Sequence, residues 1–444
     1  MRNIIVGRSA KDLKKFGMDG TVMIGKQYVT MGNTVSLSNP VYLDVAKAHV
    51  VFICGKRGGG KSYTMGAIAE GMATLPENIK QNLSFILLDT MGIYWTMKYP
   101  NKKDESLLTD WGLKADGLDV QIFTPKKYYH EYKKQGIPTD FPFAIKPSEM
   151  DSSDWCKTFE IIETSPIGIL IERTIHTVIR IKGEDYSISD LIDAIQSDTR
   201  SEQTVKDAAE NLFLSTDGWG VFDIEGTPLN DLARAGQVTV LDVSCYATMP
   251  GGWKIKHMIV GLVAQKLFIQ RMVARKNEEF KEVHQSIHYF SEEDTSKEKL
   301  DMPLVWLVID EAHEFLPKDR QDENMATKPL VTIMREGRQP GISLILATQQ
   351  PGKIHTDVMT QSDTVISHRI TARLDVEALG LLTQSYMREG MALSIDHMPR
   401  VQGSAVIFDD SNEKLFSIQI RPRITWHGGE APIAVHKQKI HKYM

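Results

Sequence analysis

The sequence predicts a doubly wound α/β domain: a mostly parallel sheet with helices on both faces, an inserted helical subdomain and a small N-terminal β segment. Three observations predict it. Six short runs are rich in β-branched residues and apolar without alternation, as strands buried on both faces are. Helical stretches follow several of those runs. A glycine-rich loop, "GKRGGGKS", joins the first run to the first helix.

Residues 1–47 come first, with the alternating segments "GTVMIGKQYVTMG" and "NTVSLSNPVYLDV" split by Gly, Asn and Pro, expected as a few strands. The buried runs are "HVVFIC" (49–54), "LSFILLD" (83–89), "VQIF" (120–123), "VTVLDVS" (238–244), "LVWLVID" (304–310) and "ISLILAT" (342–348). Helices are expected over 61–74, 254–280 and 323–338. The core thus divides into 48–147 and 215–425. Between them, residues 148–214 read almost entirely helical, with Ser and Asp as N-caps at several starts. Residues 281–302 are polar and charge-mixed, expected as a solvated loop.

Composition narrows the class. At 444 residues with 42% hydrophobic and 25% charged content, the chain can bury a sizeable core and is neither disordered nor fibrous. A formal charge of −5 excludes a global basic field, so any nucleic-acid contact must be local. The three cysteines, Cys54, Cys156 and Cys245, are far apart, which argues against a structural zinc site and for a reducing compartment. "MRNIIVGRSAKDLKKFG" has no signal-peptide core and no run reaches the length of a membrane span, so a cytoplasmic location without membrane contact is expected.

The chemistry begins at the loop. "GKRGGGKS" fits GxxxxGK[ST] through Gly55, Gly60, Lys61 and Ser62. Gly58, Gly59 and Gly60 free successive N–H groups to turn on phosphate oxygens, and the contacts extend to Tyr63 at the helix start. Lys61 neutralises phosphate charge, Ser62 offers a hydroxyl to Mg²⁺, and the helix presents its positive end to the anion. Lys56 and Arg57 are the loop's variable cations: solvent charges in isolation, or sensors of a neighbouring subunit in a ring.

Hydrolysis needs more. "LVWLVIDEAHEF" ends a buried run in Asp310, expected at the metal, and Glu311, expected to orient and deprotonate the attacking water. His313 and Glu314 read as structural. Gln349 stands at the carboxyl end of "ISLILATQQPG", where open α/β sheets bind ligands, and can sense phosphate and water without adding charge. In "IMREGRQPGIS", Arg335 and Arg338 share one face; they either complement the helix dipole or reach a neighbour's γ-phosphate as an arginine finger.

With those residues in place, the sequence resembles the HerA branch of the HerA–FtsK superfamily of ring ATPases. The segments that carry the resemblance are "VFICGKRGGGKSYTMGAIAEG", "LLDTMGIYWTMK", "LVWLVIDEAHEFLP", "MREGRQPGISLILATQQP" and "SDTVISHRITARLDVEALG". The resemblance implies a RecA-like P-loop NTPase core, ATP with Mg²⁺, a homohexameric ring, translocation on double-stranded DNA and a nuclease or other effector partner. It favours Arg338 over Arg335 as the finger and adds Arg369 and Arg373 as inter-subunit candidates. The family's N-terminal barrel would be reduced here, which puts nuclease docking in that manner in doubt. "IQIRPRITWHGG" resembles the family's extension that braces an adjacent subunit, and 426–444 would form that brace and a basic tail.

For DNA, the best local stretch is "TPKKYYHEYKKQG", where Lys126, Lys127, Lys133 and Lys134 interleave with tyrosines; its plainer reading is a solvated surface segment. Two other classes compete with a DNA motor: a ring ATPase that remodels protein, and a nucleotide-gated scaffold for a partner enzyme.

Overall fold

The computed structural model describes residues 2–31, 34–287, 302–380 and 398–429, with 300, 394 and 395. Thirteen strands form one sheet: β1 Ile4–Val6, β2 Thr21–Met31, β3 Thr34–Asp44, β4 Val50–Cys54, β5 Leu83–Asp89, β6 Val120–Pro125, β7 Phe141–Phe143, β8 Val238–Asp242, β9 Leu304–Ile309, β10 Ile342–Thr348, β11 Thr364–His368, β12 Ser404–Asp409 and β13 Lys414–Ile420. Their spatial order is β1-β3-β2-β13-β12-β11-β4-β10-β9-β5-β8-β6-β7. From β11 to β7 every neighbouring pair is parallel, while β11-β12, β12-β13, β13-β2 and β2-β3 are antiparallel.

All six apolar runs are strands of the parallel part, because each buries both faces. Along β9, Val305, Leu307 and Ile309 enter one apolar cluster while Trp306 and Val308 enter the other. The helix Lys61–Ala73 covers the second face through Met65, Ile68 and Met72. The helices Gly252–Ile287 and Thr327–Glu336 cover the first through Met258, Leu262, Leu330 and Ile333.

The chain between β7 and β8 carries helices Ser152–Phe159, Pro166–Lys182, Ile188–Gln196 and Gln203–Asp217. Asp151 and Ser187 close capping boxes and Ser165 caps the second helix, so the chain enters three of them in a set direction. Trp155, Leu170, Leu191 and Phe213 join the same apolar cluster as Phe52 and Ile86 of the sheet. The helical insertion therefore shares the core of the sheet.

Two expectations change. The N-terminal strands, expected as a unit of their own, extend the central sheet through the pairing of β2 with β13, Ile418 opposite Gln27. Residues 281–287, expected in a loop, continue the helix from Gly252, because "EEFKEVHQSI" holds no breaker and pairs Arg275 with Glu279 one turn on. Within "IQIRPRITWHGG", Arg421 and Arg423 are buried against Glu70 of the same chain. The tail from 430 onward lies outside the described residues. Among the described residues, no helix is long and apolar enough to cross a membrane.

Candidate functional site

Because β11, β4, β10, β9, β5 and β8 run parallel, their last residues meet along one edge: His368, Cys54, Thr348, Ile309, Asp89 and Asp242. Brackets of loop beyond this edge carry the chemistry, as expected for an open α/β sheet.

The phosphate loop leaves β4 and enters the helix at Lys61. Gly60 takes the left-handed region at φ 112, and a Cβ there would lie 3.2 Å from the His368 ring, so only glycine fits. His368 is fully buried beneath the loop; its Nδ1 is 3.0 Å from the Ser404 carbonyl and its Nε2 2.8 Å from Thr64 Oγ1. Burial pulls its pKa down to about 4, which keeps the ring neutral.

Lys61 donates to the carbonyls of Gly55 at 3.1 Å and Lys56 at 3.2 Å. Burial lowers its pKa, and Asp310 and Glu311 oppose that shift. Ser62 Oγ donates to Asp310 Oδ2 at 2.9 Å, tying the helix start to the end of β9 across 248 residues of sequence. Asp310 is 6% exposed, and burial followed by its neighbour Glu311 raises its pKa.

Glu311 has φ 52, left-handed backbone in a residue with a side chain. That turn swings its carboxylate toward β10, where Oε1 accepts a hydrogen bond from Gln349 Nε2. Its Oε2 is buried and accepts none among the described residues. The structure thus brings Lys61, Ser62, Asp310, Glu311 and Gln349 together. An aspartate on a serine hydroxyl beside a phosphate loop suits a hard cation that keeps water and phosphate as its other ligands. Among the described residues no larger cluster of His, Cys, Asp or Glu could hold a metal.

Other expected residues lie elsewhere. Tyr63 turns away from the loop; its hydroxyl accepts from the Arg423 N–H at 2.7 Å, so its side chain serves the C-terminal segment. Lys56 and Arg57 are exposed. The helix Thr327–Glu336 runs back across the sheet, so Arg335 and Arg338 sit near the opposite edge, where β10 begins. Arg335 is held by Asp357 at 2.5 Å, while Arg338 is exposed with no polar partner among the described residues. Arg369 is exposed next to the phosphate loop, its carbonyl accepting from Lys56 N at 3.1 Å. The side chain of Arg373 lies outside the description. Lys126 pairs with Asp223, Lys127 donates to Gly218 O at 3.3 Å, Lys133 sits 4.5 Å over the Tyr129 ring, and Lys134 is exposed.

Residues not foreseen complete the edge. Asp89 accepts from the N–H groups of Met91, Gly92, Ile93 and Tyr94, shaping the "DTMG" turn, and burial with the nearby Asp242 pushes its pKa up to about 7. Asp89 was visible in "LLDTMG"; His368 had no such signal, because only the pairing of β11 with β4 brings it under the loop.

A family model described as "Helicase HerA, central domain" matches residues 28–249. A protein of Methanocaldococcus jannaschii named as a probable DNA double-strand break repair helicase HerA is 33% identical over 365 residues, covering 74% of this chain and 64% of that protein. A DNA double-strand break repair helicase HerA of Pyrococcus furiosus is 31% identical over 108 residues, 24% of this chain and 18% of that protein. The chain therefore spans less than two thirds of the length of either relative. Among solved structures, VirB4 of Thermoanaerobacter pseudethanolicus shares the fold, with a TM-score of 0.53 at 12% identity over 90% of this chain and 96% of that one.

Proposed function

The chain belongs to the HerA family, and on that premise we propose that it hydrolyses ATP to drive movement on double-stranded DNA. One observation carries the hydrolytic half: Ser62 on Asp310 at 2.9 Å and Gln349 on Glu311, side by side with Lys61 at one sheet edge. In this reading Lys61 leaves its loop carbonyls for the β- and γ-phosphates. Ser62 and Asp310 would hold Mg²⁺, which would offset phosphate charge. Glu311 accepts the proton of the attacking water through Oε2, which accepts no hydrogen bond among the described residues. Gln349 reads the γ-phosphate and fixes Glu311 until it arrives.

Arg338 cannot serve the phosphate loop of its own chain from the far edge of the sheet, so its role as a finger requires a second copy. That geometry supports a ring, and we propose a homohexamer that works with a nuclease or another effector protein. The helix Lys126–Gln135, with its four lysines, is the proposed DNA contact.

ATP binding and turnover, measured separately, test the hydrolytic reading. Lys61→Ala should abolish nucleotide binding. Glu311→Gln should retain binding and lose at least about 100-fold in turnover, the contribution of a positioned base. Normal turnover in Glu311→Gln would remove the proposed base.

A further inference from the structure

The "DEAH" turn holds a second functional side chain. Left-handed backbone at Glu311 (φ 52) directs the short helical turn Ala312–Glu314 so that His313 faces the end of β10. His313 Nδ1 lies 3.0 Å from Thr348 Oγ1 and 3.6 Å from Glu311 Oε2. Its Nε2 lies 3.2 Å from Gln350 Nε2 and 3.4 Å from Glu314 Oε1. The imidazole thus touches residues on both sides of the Glu311–Gln349 pair, and its side chain is 10% exposed.

The donors and acceptors decide what it does there. Thr348 Oγ1 already accepts from Gln350 N at 3.0 Å. Gln349 occupies Glu311 Oε1, and Oε2 accepts no hydrogen bond among the described residues. A carboxylate with one oxygen held and one free rotates unless something fixes the second. The imidazole of His313 stands beside it, its Nδ1 held by Thr348 and 3.6 Å from Oε2, a packing distance longer than a hydrogen bond. On its outer side the ring borders a cavity of about 1130 Å³ that Trp253, Glu314, Lys318 and Gln350 also line. The ring therefore stands between Glu311 and that space.

We propose that His313 is a positioning residue for Glu311: anchored by Thr348 and Gln350, its ring packs against the free oxygen of the carboxylate and limits its rotation, keeping it aimed at the attacking water. This rests on Glu311 being the base of the ATPase reaction. It assigns to the fourth residue of "DEAH" a role in turnover with none in nucleotide binding.

Steady-state turnover and nucleotide affinity should be measured side by side for His313→Ala, His313→Asn, Thr348→Val and Glu311→Gln. His313→Ala should lower kcat roughly 10- to 100-fold, the usual effect of a displaced reacting group or its orienting partner, with KM and affinity within about 2-fold. His313→Asn, whose amide fills the place of Nδ1 and keeps a group able to bond Thr348, should recover at least about a third of the activity. Thr348→Val keeps the shape of the strand and removes the anchor, and should cost about 10-fold in kcat; it carries the test if the alanine variant does not fold. Glu311→Gln separates the two ideas: if it turns over normally, the base assignment falls and the positioning role with it. If Glu311→Gln is inactive, any of three results overturns the role of His313 alone: unchanged kcat in His313→Ala or Thr348→Val, an Asn variant as slow as the Ala variant, or affinity that falls in step with kcat.

Discussion

Glu311 sits where an L-residue pays roughly 1–2 kcal/mol for left-handed backbone, and its Oε2 is buried without a hydrogen bond among the described residues. Strain of this kind persists where the surroundings hold it, and here they are Asp310, whose Oδ1 accepts from Glu311 N at 2.9 Å, and Gln349. Stability and activity should therefore part at this residue. Glu311→Gly should raise the unfolding free energy by about 1 kcal/mol, because relieved strain outweighs the freedom glycine adds to the unfolded chain. Turnover should vanish in the same protein. Denaturant unfolding decides it, and a loss of stability would make the Glu311–Gln349 contact structural. The φ of Glu311 was not legible in "VIDEAHEF", since nothing in that string announces left-handed backbone. The acidic pair itself was legible, because it closes an apolar run at a strand end.

At the scale of elements, the C-terminal segment is bound to the phosphate-loop helix through one buried carboxylate. Glu70 accepts from Arg421 Nη1 at 2.8 Å, Arg423 Nε at 3.1 Å, the N–H groups of Ile424 and Thr425, and Thr425 Oγ1 at 2.6 Å. Gly66 makes room, since a Cβ there would fall 2.5 Å from Arg423 Cζ. Burial opposes the charge on Glu70, but the two guanidiniums prevail and lower its pKa. Glu70→Ala would leave two buried cations unpaired and should cost about 3–5 kcal/mol in chemical denaturation. The sign with pH follows from the lowered value. The carboxylate contributes fully above the unfolded value of 4.5, and the contribution is lost as pH falls through the folded value. The variant should therefore lose less stability on acidification than the parent, and a parallel acid limb would contradict the pairing.

This cluster also marks where local reading ends. β4, β5, β6, β8, β9 and β10 were legible because strands buried on both faces are apolar throughout. "KLFSIQI" escaped because β13, antiparallel and only partly buried, alternates with polar residues. The partnership of Glu70 with Arg421, 351 residues apart, leaves no trace in either neighbourhood. Nothing in that basic, aromatic string near the C-terminus announces that its arginines are core.

For the whole molecule, the sheet separates two chemistries. Lys61, Asp310, Glu311 and Gln349 lie at one edge and Arg338 near the other, so a site that uses both must be built from two copies. Net charge is −5, so any contact with DNA must be made by a local cationic face; Lys126 and Lys133 are already engaged with Asp223 and Tyr129, while Lys134 is exposed. The proposal that hydrolysis is used on duplex DNA is tested most directly by ATP turnover of the intact chain with and without duplex DNA across a salt series. The account predicts stimulation at low salt that falls steeply between about 50 and 200 mM, as phosphate contacts release their counterions. Turnover indifferent to duplex DNA at the lowest salt would contradict it.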